Sequence, residues 1–156
     1  MSLLNVQVMA SRTHNPGSEW LALSSPDPVR THRAWAAGEL ARLHSGRLWT
    51  AVEADVRRSV DAMQRISPDR LGPVLVHPSA DLAWWLVPSG SVEELAGADF
   101  LTVHVAGRPL RCPPAERYVD GLGWLEKPDG SGRLTAPAAL GAAFRPGGRL
   151  RAGAFC

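Results

Sequence analysis

Turn-forming residues recur along this chain at short intervals and cut it into segments of strand or short-helix length. The main breaks are Asn15-Pro16-Gly17, Ser24-Ser25-Pro26, Ser45-Gly46, Ser67-Pro68-Asp69, Pro78-Ser79-Ala80-Asp81, Ala106-Gly107-Arg108-Pro109, Pro113-Pro114 and Lys127-Pro128-Asp129-Gly130. Between them the pattern runs helix, strand, helix and then mostly strands, with no repeat or low-complexity block. This order predicts a single α/β (α+β) domain, a mixed sheet with helices packed on it. A chain of 156 residues suits one core, and buries roughly two-thirds of the surface that its unfolded form exposes.

Residues 1–17 alternate weakly and read as an N-terminal arm or edge strand. Residues 18–144 form the domain, and 145–156 a basic, Gly-rich flexible tail. Within the domain, Glu19 to Leu23 reads as a short strand. Asp27 as cap and Pro28 at the first helical position start a helix, which is expected to reach about His44 with Val29, Ala36, Leu40 and Leu43 inward. A buried strand follows at 48–54, then an amphipathic helix at 56–66 with Val56, Val60, Met63 and Ile66 at helical spacing. Segments 72–77 and 82–88 read as the two strands of a hairpin. Ser91-Val92-Glu93-Glu94 has the form of a capping box that starts a short helix. Further strands are expected at Phe100–Val105, from Leu110 to Cys112 and at Leu122–Leu125, and a last helix at Ala136–Phe144 capped by Thr135.

Hydrophobic residues make up 45% of the chain and charged residues 21%, ordinary proportions for a globular domain. No apolar run approaches the roughly 20 residues that span a bilayer, and the start of the chain lacks the basic and apolar regions of a signal peptide. The expected location is the cytoplasm, with no membrane partner. Cys112 and Cys156 by themselves supply neither a disulfide framework nor a structural zinc site. The net charge of +2 is too small to mark a nucleic-acid binder, and sixteen of the seventeen basic residues are Arg.

The five histidines have no metal-ligand spacing. No phosphate loop follows a strand, and Ser59, Ser79 and Ser89 lack a nucleophile-elbow context. Trp84-Trp85 offers a stacking platform for bases, but adjacent strand residues face opposite sides of a sheet, which favours core packing.

From about Ser24 to Phe144 one order of segments stands out. It consists of Asp27-Pro28, Trp35, Gly46 and Leu48 through Asp55, then Gly72-Pro73-Val74 and Trp84-Trp85-Leu86-Val87-Pro88. Leu101–Val105, Gly107 and Pro113-Pro114 follow, and last Trp124, Pro128-Asp129-Gly130 and Pro137 onward. This order resembles the bifunctional DNA primase/polymerase N-terminal domain in its short, divergent, actinobacterial form. The resemblance implies a phosphoryl-transfer site in which carboxylates hold divalent metal ions. Glu53 and Asp55 match its strand-end acid pair. Its histidine on the aromatic strand falls at Ala83 or a neighbour in Asp81-Leu82-Ala83, and its further carboxylate falls near Thr102 and His104, neither acidic. Imidazole is a poor ligand for magnesium.

The resemblance therefore implies a degenerate active site: a non-catalytic primase-polymerase-like domain acting as a binding or regulatory protein. No catalytic residue, metal or cofactor is expected. The partner is expected to be a protein, with nucleic acid open and the oligomeric state undetermined. Candidate binding-surface residues are Trp85, Arg57, Arg58, His104, Arg108 and Arg111. On this reading Asp55 caps the following helix and Glu53 ends a strand in solvent. One alternative is a nucleotidyl transferase with a rearranged metal site built from Glu53, Asp55 and Asp99. Another is an accessory protein that binds a peptide or small molecule in the remnant cleft.

Overall fold

The computed structural model describes residues 15–145, apart from 91, 96 and 97. The arm expected at the N-terminus and the tail expected at the C-terminus therefore lie outside the described residues, except for 15–17 and Arg145. The chain forms one α+β domain with helices α1 (Pro16–Ala22), α2 (Pro28–Ala36), α3 (Val56–Met63) and α4 (Pro137–Phe144). Its strands are β1 (Ala41–His44), β2 (Thr50–Ala54), β3 (Val74–His77), β4 (Leu82–Val87), β5 (Thr102–Val103), β6 (Pro109–Cys112) and β7 (Gly123–Glu126). A five-stranded sheet runs in the order β5-β2-β4-β3-β7, and β1 pairs with β6 in a separate ribbon. All these pairings are antiparallel, where a mixed sheet was expected. No helix among the described residues is long and apolar enough to cross a membrane.

The central strands are buried on both faces because their apolar residues alternate between two cores. Val52, Ala54, Val74, Ala83, Trp85 and Val87 meet Ala62 of α3 and Leu140 and Phe144 of α4. Ala51, Leu75, Trp84, Leu86 and Trp124 turn the other way, toward Leu21 of α1, Trp35 of α2 and the ribbon residues Ala41, Leu43, Leu110 and Cys112. The result is three layers: α3 and α4, the sheet, then α1, α2 and the ribbon. The hairpin of β3 and β4 forms as expected. Cys112 is fully buried, and burial pushes its thiol far above the ordinary cysteine range.

Four local readings change. Glu19 to Ala22 belongs to helix and not strand, with Leu23 as its C-cap, because the Asn15 side chain accepts a hydrogen bond from the Ser18 N–H at 3.1 Å and Pro16 sits at the first position. Helix α2 stops at Ala36 because Gly38 takes a left-handed conformation (φ 77°); Val29 and Ala36 are exposed, and Ala41–His44 becomes a strand. In α3 Ser59 and Ala62 are buried, with Met63 packed against the same core and Ile66 buried just beyond the helix as expected, while Val60 is exposed. Thr135 does not cap α4; its hydroxyl accepts from the Gly72 N–H at 2.9 Å. A β-carbon on Gly72 would come within 2.6 Å of the Leu134 backbone, so this close approach requires glycine.

The expected strand at Phe100–Val105 shrinks to Thr102–Val103, with Phe100 in a left-handed conformation (φ 69°). Val92–Leu95 is a turn of 3-10 helix, and the capping role expected of Ser91 lies outside the described residues.

Candidate functional site

The strand-end acids were the first candidates for chemistry. Glu53 stands on β2 directly opposite Trp84 of β4 and Thr102 of β5. Its Oε1 accepts a hydrogen bond from the Trp84 indole Nε1 at 3.2 Å and lies 3.0 Å from Nε2 of His104. His104 is held in place by its own backbone N–H, which donates to the Ala51 carbonyl at 2.8 Å. Glu53 is therefore the shared acceptor of a small cluster on β2, between β5 and β4, and not a solvated strand end. His104 is 4% exposed, which removes it from the binding surface, and its Nδ1 has no hydrogen-bond partner among the described residues.

Asp55 caps α3. Its Oδ2 accepts from the Arg58 backbone N–H at 3.0 Å, and its Oδ1 from the Arg58 guanidinium at 3.0 Å. Partial burial alone would raise its carboxyl pKa, but these contacts with Arg58 outweigh it and hold the group below the ordinary value of 3.8. A carboxyl depressed in the folded state stabilises above its unfolded pKa, and this contribution disappears as pH falls through the folded value. Asp55→Ala is expected to lower stability by about 0.5–2 kcal/mol at neutral pH. In urea denaturation the gap from the parent should narrow steadily in acid; a gap independent of pH would remove the capping role.

Asp99 lines a recess with Arg58, Asp61, Arg65 and Phe100. Among the described residues no three His, Cys, Asp or Glu side chains gather as a metal site. Glu53, Asp55 and Asp99 are thus not gathered into one such cluster. Ala83 is fully buried.

Trp85 is also buried, with 0% exposure. It is not a platform: its indole N–H donates to the Ser59 hydroxyl at 3.0 Å, which draws Ser59 inward and turns Val60 out. The four candidate arginines divide between two surfaces. Arg57 and Arg58 lie in the first turn of α3, where the Arg58 guanidinium sits 3.7 Å from the centre of the exposed Phe100 ring, beside the recess of about 430 Å³ that Asp99 lines. Arg108 and Arg111 lie at the ribbon, across the sheet from α3.

Sequence reading missed Phe100 as a surface feature, and it missed Arg42, which faces Arg111 directly across the ribbon. The signal was present in the alternation Ala41-Arg42-Leu43-His44 between Gly38 and Ser45-Gly46. Comparison with protein-family models, curated proteins and solved structures finds no match to this chain.

Proposed function

We propose that the chain is a non-catalytic binding or regulatory domain of primase-polymerase-like type, working in the cytoplasm. The observation that carries this reading is the engagement of Glu53 by Trp84 and His104, at the place where the resemblance puts a metal-binding acid. A carboxylate that serves as acceptor for two buried donors has a structural task, and moving it to a metal ion would strand both. Asp55 is engaged in the same sense, by the N-terminus of α3. What remains for function is surface, not a reacting centre.

The test is calorimetric titration of the folded protein with manganese and a deoxynucleoside triphosphate, beside Asp55→Asn. No saturable heat is expected from either protein. Saturable, metal-dependent nucleotide binding that disappears in Asp55→Asn would overturn the proposal in favour of the transferase.

A further inference from the structure

The ribbon of β1 and β6 sends Ala41, Leu43, Leu110 and Cys112 into the core. Strand alternation therefore leaves Arg42, His44, Pro109 and Arg111 on its outward face. Arg42 is the direct cross-strand partner of Arg111, and His44 of Pro109. Like charges directly opposite each other on a sheet are destabilising, and none of these four outward residues is an acid. Both arginines are exposed, and among the described residues neither forms an ion pair. Arg30 of α2 joins Arg42 and His44 along a groove of about 460 Å³, and the exposed Arg108 stands at the ribbon's end. Two acids, Asp27 and Glu39, line the same groove; the Asp27 carboxylate already accepts from the Arg30 backbone N–H as the cap of α2.

We infer that the outward face of this ribbon, from Arg42 to Arg111, docks duplex nucleic acid through its phosphates. The charge complementarity is direct: an unpaired guanidinium pair against an anion resolves the repulsion within the ribbon. A two-stranded ribbon also has the width that the major groove of a duplex admits. The four outward positions carry no large aromatic anchor of the kind that, with arginine, dominates protein interfaces, while Ala34 and Leu40 line the adjoining groove. The four positions also have no Trp, Tyr or Phe ring on which unpaired bases would stack, as they do in single-strand binders. The inference deepens the binding reading above and lies outside the Glu53 and Asp55 region. The manganese titration and the assay below fail independently of each other.

Fluorescence anisotropy of a short labelled duplex with the full chain, across a range of salt concentration, tests it. Binding should weaken linearly on logarithmic axes as salt rises, and Arg42→Ala/Arg111→Ala should reduce that slope by about 2. Arg111→Glu should abolish binding while leaving the melting temperature unchanged or raised, because it places opposite charges across the ribbon. Arg57→Ala/Arg65→Ala, on the other side of the sheet, should bind like the parent. Absence of duplex binding at low salt, equal loss in the Arg57/Arg65 variant, or tighter binding of a single strand or of polyglutamate than of duplex would each overturn the assignment.

Discussion

Trp85→Ala is expected to lower the unfolding free energy by about 3–5 kcal/mol, the range for removing a large buried aromatic side chain. The indole is fully enclosed, meets the Phe144 ring edge-on with centroids 6.0 Å apart and donates to Ser59. It ties β4 to both α3 and α4, so its loss opens a cavity in the layer that holds the two helices on the sheet. Domains of this size are stable by only about 5–15 kcal/mol, and the variant is expected to be marginal at physiological temperature. Trp85→Phe keeps a six-membered ring but loses the five-membered ring with its N–H, so it should recover only part of the deficit. Urea denaturation of the three proteins reads both effects. An unchanged midpoint in Trp85→Ala would return Trp85 to the surface as a binding platform.

Glu53→Ala should cost nearly as much by a different route. It leaves Trp84 Nε1 and His104 Nε2 without their common acceptor, and each stranded buried donor costs about 1–3 kcal/mol. Glu53→Gln retains a carbonyl oxygen with two lone pairs in the same place, so it should lose no more than about 1 kcal/mol. A catalytic or metal-binding carboxylate gives the opposite pattern, in which the amide is as inactive as alanine and stability hardly moves. Denaturation midpoints for the alanine and glutamine variants, measured together, decide between the two roles. Equal and small shifts in both would end the structural account of Glu53.

The strands of the central sheet were legible because each is an apolar run between breakers: 48–54 became β2, 72–77 became β3 and 82–88 became β4, with ends moved by one or two residues. The cap at Asp27-Pro28 was legible for the same local reason. Asn15-Pro16 carries the same signature, an amide cap before a first-turn proline, but the glycine after it made the segment read as a turn, and α1 was missed. Running α2 on to His44 hid β1, and with it the placement of Arg42. On α3 apolar spacing placed Met63 and Ile66 correctly against the core but also favoured Val60, whereas Trp85 requires a hydrogen-bond acceptor beneath the helix and Ser59 supplies it.

By itself the sequence determined the α+β class, the hairpin of β3 and β4, the opposite facing of Trp84 and Trp85 and the cap at Asp55. Each of these depends on residues within a few positions of one another, where the periods of strand and helix act directly. Only the tertiary structure decided what Glu53 does, since His104 reaches it from 51 positions along the chain, and which arginines share a surface. The facing of Arg42 and Arg111 is set by the register of two distant strands. Register follows from how buried side chains fit across a whole sheet, and a slip of one residue would turn every side chain of a strand to the other face.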